Sequence, residues 1–201
     1  MLFTVCLVVI LFFCLLLQQS RKPSGLLGRG MMTIWNRVYQ PMVNWGLAEA
    51  DLGTPQKVLD IGVGNGLSTT YLSQLFPNAE CLGIDYAPEA IKVALKRTHG
   101  NLDFQVADVT MLPFKAGEFE LLTAFQTHFH WSDVTKGIAE CHRVLASRGQ
   151  FVIACEKNKV AFYLKDQVDH SQARAFFESI GFIDVVIKER GSWIVYYGQK
   201  K

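Results

Sequence analysis

The chain has 201 residues, half of them hydrophobic, and a formal net charge of +2. This length accommodates one α/β domain with a full core rather than two domains, and because no run of Lys and Arg reaches five residues, nothing predicts a nucleic-acid surface. The five cysteines are odd in number, scattered and free of a C-x-x-C pair, which favours reduced thiols over a disulfide framework or a zinc site.

The first 17 residues are apolar at every position except Thr4, and the basic pair Arg21 and Lys22 follows them. A helix of this length spans roughly 25 Å, which thin bilayers accept. A cleaved signal peptide is disfavoured because no basic residue precedes the run, and a core helix is disfavoured because the run has no polar face. We expect residues 1–20 to be a membrane anchor, 21–30 a linker, and 31–201 a cytosolic domain.

A strand followed by a glycine-rich turn is predicted at residues 57–66, which read Lys-Val-Leu-Asp-Ile-Gly-Val-Gly-Asn-Gly. The apolar run around Asp60 is typical of a buried parallel strand, and residues 67–75 favour a helix. Glycines let the backbone approach a ligand closely. The G-x-G-x-G spacing differs from the G-x-G-x-x-G of dinucleotide sites, and the carboxylate of Asp60 would repel a pyrophosphate but could pair with an ammonium group.

This stretch resembles the first motif of the class I S-adenosylmethionine (SAM) dependent methyltransferases, D/E-x-G-x-G-x-G. The resemblance implies that SAM contacts residues of this loop: Asp60, Gly62, Gly64, Asn65 and Gly66. In that family a helix before the first strand commonly covers the cofactor mouth, and residues 31–50 have helical spacing, which Pro41 is expected to kink or split. Four of its side chains are candidate contacts, although packing on the sheet explains each one equally well: Trp35, Tyr39, Asn44 and Trp45.

Residues 80–85 are predicted as the second strand. The acid at its end, Asp85, follows the glycine loop by a distance that places it to accept both ribose hydroxyls of the cofactor. Tyr86 beside it is expected to lie on the adenine ring.

Residues 102–107 alternate in polarity and are predicted as the third strand. The resemblance implies that Asp108 accepts a hydrogen bond from the adenine amine while Ala107 and Val109 pack against the ring. A role for Asp108 as the N-cap of a short turn is a compatible alternative.

The fourth strand is predicted at residues 118–125, and it runs into the polar and aromatic segment 126–131. Ligands of open α/β sheets bind at the carboxyl ends of the strands, so this segment should face the transferred methyl group. The resemblance implies that three residues contact the methionine part of SAM: Phe125, Gln126 and Thr127. His128 and His130 are candidate general bases, with plain hydrogen bonding an equal alternative, and no further ligand at suitable spacing supports a metal site.

The remaining elements complete a Rossmann-like α/β fold. Helices are predicted at 133–145 and 171–180, a fifth strand at 150–155, a helix-and-turn connection or short mobile cover at 156–170, and a closing hairpin at 182–189 and 192–198. Residues 141–145 resemble the late motif E-x-x-R-V-L of the same family. We therefore predict a seven-stranded sheet with its last strand antiparallel, flanked by helices and preceded by the N-terminal hydrophobic helix.

The function that these motifs predict is SAM-dependent methyl transfer to a small-molecule or lipid-like acceptor near the membrane, without a metal or a nucleic-acid partner. The sulfonium of SAM is already activated, so the protein needs only to align the reactants, exclude water and, for some acceptors, remove a proton. Two alternatives remain open. One is an NAD(P)-dependent oxidoreductase, which the glycine spacing disfavours, and the other is a membrane-tethered domain that binds SAM without catalysis.

Overall fold

The computed structural model describes residues 38–201, so the predicted anchor, the linker and Trp35 lie outside the described residues. Within residues 38–201, no helix has both the length and the apolar character needed to cross a bilayer.

The described chain alternates helices and strands. The helices are α1 at residues 38–48, α2 Leu67–Leu75, α3 Pro88–Ala94, α4 Val134–Val144, α5 Lys157–Tyr163 and α6 His170–Ile180. The strands are β1 Lys57–Ile61, β2 Glu80–Asp85, β3 Leu102–Val106, β4 Phe119–Phe125, β5 Leu145–Glu156, β6 Phe182–Arg190 and β7 Trp193–Lys200. Short 3₁₀ turns follow four of the elements, at Leu95–Arg97, Val109–Met111, His128–His130 and Lys165–Gln167.

The strands form one sheet in the order β3-β2-β1-β4-β5-β7-β6. Strands β1 to β5 run parallel, and β7 pairs antiparallel with both β5 and β6. The predicted seven-stranded Rossmann-like sheet with its last strand antiparallel is confirmed. The strand order reverses between β1 and β4, and such a switch point opens a crevice at the carboxyl ends of the strands.

Apolar layers cover both faces of the sheet because neighbouring residues of a strand point to opposite sides. In β1, Val58 belongs to the layer that contains Leu72 of α2, while Leu59 belongs to the layer that contains Phe177 of α6. Both strand residues have no exposed surface. The glycine turn that follows β1 is therefore held in place by a strand that is packed from both sides.

The structure corrects two predicted boundaries. Of the predicted kink or split at Pro41, the split is absent over residues 38–48, where helix α1 continues through Pro41, since the fixed φ of proline is compatible with a helix. Strand β5 begins at Leu145 rather than at residue 150: Leu145 pairs with Phe119, and a register shift before Leu121 absorbs the extra residues. Arg148 has a left-handed backbone (φ 62°) within this irregular stretch.

The late motif fixes the chain between β3 and β4. The Arg143 guanidinium donates to the carbonyl oxygens of Leu112 (2.9 Å) and Phe114 (2.8 Å). Glu140 accepts from Arg143 and from the backbone N–H of Leu112, and this partnership with Arg143 holds the pKa of Glu140 below its usual value. The motif is thus structural, since it ties α4 to the segment that follows β3.

Candidate cofactor and acceptor site

The turn after β1 is left-handed at each of its three glycines, with φ of 74° at Gly62, 56° at Gly64 and 82° at Gly66. A Cβ atom at Gly62 would lie 2.1 Å from Thr127 Oγ1, and one at Gly66 would lie 2.7 Å from the Phe104 ring. The turn therefore needs glycine for close contacts as well as for its backbone angles. At Gly62 the turn is in close contact with Thr127, in the segment that follows β4.

Asp60 lies beneath this turn rather than in the crevice. Asp60 is buried, with 1% of its surface exposed. Its carboxylate accepts hydrogen bonds from Ser68 Oγ (2.6 Å), Thr69 Oγ1 (2.9 Å) and Thr123 Oγ1 (2.7 Å). Burial raises the pKa of Asp60 to about 6, although the three hydroxyls oppose the rise. The predicted ion pair with an ammonium group is thus corrected: in this structure the carboxylate joins β1, α2 and β4.

Asn65 also supports the turn from within. Its side-chain Oδ1 accepts from the backbone N–H of Leu67 at the start of α2, and its carbonyl oxygen accepts from Arg97 Nε (2.9 Å). These contacts hold the first turn of α2, where N–H groups have no partner within the helix.

Asp85 bridges the glycine turn and the next helix. Its Oδ2 accepts from the backbone N–H of Gly64 (2.9 Å), and its Oδ1 accepts from the backbone N–H of Ala87 (2.9 Å). Burial raises the pKa of Asp85, and the two backbone bonds act against that rise. A carboxylate has about four acceptor positions, so each oxygen retains capacity for a hydroxyl donor.

An exposed apolar strip lies at the carboxyl ends of β2 and β3, where Asp85 pairs with Val106. Tyr86 is 66% exposed and Met111 is 74% exposed, and Val106 is also exposed. Sequence reasoning identified Tyr86 but missed Val106 and Met111. The available signal was their position, because Val106 ends a strand and Met111 stands in the short turn after it, at the edge where ligands of α/β sheets bind.

Asp108 follows the same strip, between the half-buried Ala107 and the buried Val109. Its Oδ1 accepts from the backbone N–H (2.8 Å) and the hydroxyl (2.9 Å) of Thr110, so the predicted N-cap is confirmed. The predicted adenine contact of Asp108 involves a ligand and stays a prediction.

Gln126 has an unusual backbone and an unsatisfied side chain at the end of β4. It is one of three non-glycine residues with positive φ (57°) in the described chain. Its Oε1 accepts from the backbone N–H of Glu156 (2.9 Å), but its buried Nε2 has no hydrogen-bond partner among residues 38–201. A strained residue with an unpaired buried donor is typical of a binding site. Phe125, which precedes it, is buried, and Thr127 is half-buried against Gly62.

His128 is a core residue, and its predicted role as a general base is wrong. It is 0% exposed, its Nε2 lies 3.1 Å from the accepting Gln167 Oε1, and the Tyr196 hydroxyl donates to the Gln167 carbonyl oxygen. Burial lowers the pKa of His128 to about 4, so the imidazole is neutral at physiological pH. A ring without exposed surface cannot reach a substrate proton.

His130 lies on the open side of the same 3₁₀ turn and is half-buried. Its ring meets Tyr163 edge-on with centroids 5.4 Å apart, and Phe129 stacks on Tyr163 at 5.7 Å with nearly parallel planes. With three residues per turn, positions two apart point in different directions, which explains why the two histidines have different surroundings.

A polar cluster that the sequence did not predict lies next to these rings. The Tyr39 hydroxyl donates to Glu156 Oε2 (3.1 Å), and Lys159 Nζ donates to Tyr39 Oη (2.9 Å) and lies 3.1 Å from Glu156 Oε2. Burial raises the pKa of Tyr39 despite the effect of Lys159. Burial opposes the charge of Lys159, but its bonds to Tyr39 and Glu156 give the pKa of Lys159 a net rise.

The other residues predicted from α1 have structural roles. Trp45 is buried, packs on Trp193 with centroids 6.1 Å apart and donates to Glu49 (2.7 Å). Asn44 is exposed and accepts from Gln40 on the next turn of the helix. Of the described candidates in α1, Tyr39 alone belongs to the site.

A groove of about 350 Å³ lies at the opposite edge of the sheet, where β1, β2 and β3 begin. Its wall includes the exposed ion pair of Lys57 and Glu80 and the buried Cys81. Burial raises the pKa of Cys81 to about 12, so this thiol is unreactive. Within residues 38–201, no group of three or more candidate ligands could hold a metal ion.

The fold is a Rossmann-like sheet with a glycine turn at the point where the strand order reverses. A protein-family model described as a methyltransferase domain matches residues 59–153. Residues 59–153 are therefore similar to a methyltransferase domain.

Known proteins are similar to this chain over part of their length. Over 110 residues the chain is 36% identical to the chloroplastic tocopherol O-methyltransferase of Arabidopsis thaliana, covering 51% of this chain and 31% of that protein. Over 117 residues it is 30% identical to the demethylmenaquinone methyltransferase of Thermus thermophilus, covering 55% of this chain and 53% of that protein. The chain thus spans from about a third to about half of these two relatives.

The fold is also found in a solved structure with a bound cofactor product. Phosphoethanolamine N-methyltransferase 2 of Haemonchus contortus, in complex with phosphomonomethylethanolamine and S-adenosylhomocysteine, has a TM-score of 0.70 and 16% identity. The alignment covers 84% of this chain and 56% of that one.

Proposed function

We propose that this protein transfers a methyl group from SAM to a small-molecule acceptor, with SAM lying over the glycine turn at the switch between β1 and β4. The observation that carries the proposal is the bridge from Gly64 through Asp85 to Ala87. It fixes an acid beside a turn without side chains, which suits a ribose with two hydroxyls next to a close backbone approach.

The proposed cofactor contacts lie along the crevice, on both sides of the point where the strand order reverses between β1 and β4. We propose that Asp85 accepts the ribose hydroxyls and that the adenine ring lies against the exposed strip, bounded by Tyr86, Ala107, Asp108 and Val109. On the other side, the unpaired Nε2 of Gln126 supports a contact with the methionine carboxylate, together with Phe125 and Thr127.

The acceptor that we propose is lipid-like and carries a ring. Two observations support it: the half-buried ring of Tyr163, which stacks on the buried Phe129 after β4, and the names of two relatives, which denote tocopherol and demethylmenaquinone methylation. Flat rings favour stacked or edge-on neighbours, and the partly exposed Tyr163 offers such a neighbour.

The test is the affinity for SAM. The unchanged protein should bind SAM and not NADH in a calorimetric titration, and Asp85→Ala should weaken SAM binding by about 10- to 100-fold, because hydrogen bonds to a charged group are worth about 1.5–3 kcal/mol. Asp103→Ala, which removes an exposed acid from β3, is the matched control. NADH binding without SAM binding would favour the oxidoreductase, and SAM binding without S-adenosylhomocysteine release from any acceptor would favour a non-catalytic domain.

The oxidoreductase alternative has an apparent signature, the Tyr-x-x-x-Lys spacing, which occurs in Tyr196 with Lys200 and in Tyr197 with Lys201. The Tyr197 ring lies 5.5 Å from Lys188 Nζ. Tyr196 and Lys200 both lie on strand β7 and already have structural partners. Tyr196 is buried and donates to the carbonyl oxygen of Gln167, and Lys200 Nζ donates to the carbonyl oxygen of Leu145 (2.8 Å) at the start of β5. Neither side chain is placed to transfer a proton in the crevice.

We also propose that residues 1–17 attach the protein to a membrane with the domain on the cytosolic side. The support is the apolar run itself and the basic pair Arg21 and Lys22 behind it. Deleting residues 1–22 should release the protein from membranes in a fractionation experiment, and unchanged membrane association would contradict the proposal.

A further inference from the structure

Tyr39, Glu156 and Lys159 form a polar cluster that the cofactor contacts do not use. We propose that Glu156 is the general base that takes the proton from an aromatic hydroxyl of the acceptor, and that Tyr39 and Lys159 position its carboxylate. This inference rests on the proposed methyltransferase function and specifies the chemical class of its acceptor.

The backbone places Glu156 next to the methyl-transfer end of the crevice. Its N–H donates to Gln126 Oε1 (2.9 Å), which joins the ends of β4 and β5. Its side chain is 32% exposed, so a substrate can reach it. His128, in contrast, has no exposed surface.

The two oxygens of the Glu156 carboxylate have different surroundings. Oε2 is fixed by the Tyr39 hydroxyl and the Lys159 ammonium, each at 3.1 Å. Among the described residues no donor is bound to Oε1, so that oxygen is available to accept a proton. An oriented carboxylate with one available oxygen is the arrangement that general-base catalysis requires.

The neighbouring groups favour a phenol or hydroquinone over an aliphatic alcohol. The Lys159 Nζ lies 5.0 Å from the Tyr39 ring centre and 5.8 Å from that of Phe129, which itself stacks on Tyr163. Phe129 itself is buried, so the partly exposed rings of Tyr39 and Tyr163 are the ones that suit a flat acceptor, and the ammonium adds a positive charge close to the place where a phenolate would form.

The proposed step is balanced without a further reactant. Glu156 Oε1 takes the hydroxyl proton while the oxygen of the acceptor forms a bond to the methyl carbon. The bond between that carbon and sulfur breaks, and its electron pair stays on sulfur, which becomes neutral in S-adenosylhomocysteine. Glu156 then releases the proton to water.

The experiment compares two phenols in the full chain, with S-adenosylhomocysteine release as the readout. Trimethylhydroquinone is un-ionised at neutral pH and needs a base, whereas pentafluorophenol is already ionised. Glu156→Gln should lower kcat on trimethylhydroquinone by about 100-fold or more, with little change on pentafluorophenol and an unchanged affinity for SAM. The loss on trimethylhydroquinone should shrink as the pH rises toward the pKa of its hydroxyl.

Two further variants separate positioning from general structural damage. Tyr39→Phe should lower kcat on trimethylhydroquinone by about tenfold while KM stays constant, because one of the two bonds to Oε2 is lost. Glu189→Gln is the matched control: Glu189 pairs with Lys157 of α5 (2.6 Å) but has no contact with Gln126. Its kcat should equal that of the unchanged protein.

Each other outcome overturns the inference in a distinguishable way. Equal losses on both phenols in Glu156→Gln would show that Glu156 has a structural role. If His130→Asn lowers kcat on trimethylhydroquinone and Glu156→Gln does not, His130 is the base. If the unchanged protein binds SAM but methylates neither phenol, the phenolic acceptor is wrong and the cofactor assignment stands, whereas failure to bind SAM removes the proposed function itself.

Discussion

Gly62 is the residue at which the cofactor turn comes closest to the chain after β4. Its φ is 74°, and the space that a Cβ atom would fill is already occupied by the Thr127 side chain. The two segments that we propose to hold opposite ends of SAM thus contact each other directly through this residue. A side chain here would separate them.

Gly62→Ala should therefore abolish measurable SAM binding and destabilise the fold. The left-handed backbone alone costs about 1 kcal/mol for alanine, and contact with Thr127 adds to it. Gly53→Ala is the matched control, because Gly53 also has positive φ (57°) but, among residues 38–201 other than its two chain neighbours, no atom lies within 4 Å of its Cβ position. Calorimetry and urea unfolding measure the two effects, and equal SAM affinity in the two variants would contradict this reasoning.

The roles of individual site residues were predictable where a sequence motif fixes the backbone. They were not predictable where the role depends on which residues from distant parts of the chain surround the side chain. The glycines and Asp85 follow from spacing along one strand and turn. His128 and His130 are indistinguishable in sequence, and only the direction of each side chain from the 3₁₀ turn makes one a core residue. Glu156 was missed because its partner Tyr39 is 117 residues away in the chain.

At the scale of elements, the regular patterns predicted the helices and strands closely. Helix α2 and strand β2 have the predicted bounds, and α4 begins after its capping residue Asp133, whose side chain accepts from the N–H of Lys136. The start of β5 was not predictable, because residues 146–149 contain the glycine and polar residues of a turn. The pairing of Leu145 with Phe119 overrides that local preference.

At the scale of the whole molecule, Asp60 connects the two halves of the sheet. It lies on β1, and its partner Thr123 is the residue beside it on β4, across the point where the strand order reverses. Ser68 and Thr69 bind it from α2. A buried carboxylate at this position makes global stability depend on pH.

Because burial raises the pKa of Asp60 to about 6, the folded protein binds more protons than the unfolded chain between about pH 4 and 6. The stability contributed by this group is present at low pH and is lost as the pH rises through that window. The free energy of unfolding, measured with urea and expressed relative to Asp60→Asn, should fall by about 3 kcal/mol between pH 4 and 7. A difference that is constant or rises with pH would contradict the raised pKa, and Asp103→Asn at an exposed site should show no comparable trend.

The position of β7 inside the sheet has a consequence for how this protein is made. Of the described strands, β6 bonds to β7 alone, yet β6 precedes β7 in the chain. During translation, β6 leaves the ribosome before the strand that joins it to β5 exists. Until β7 is made, the apolar face of β6 is uncovered and its backbone N–H and C=O groups have no partner strand. We therefore expect β6 to join the sheet last and to be the segment that most needs protection by a chaperone.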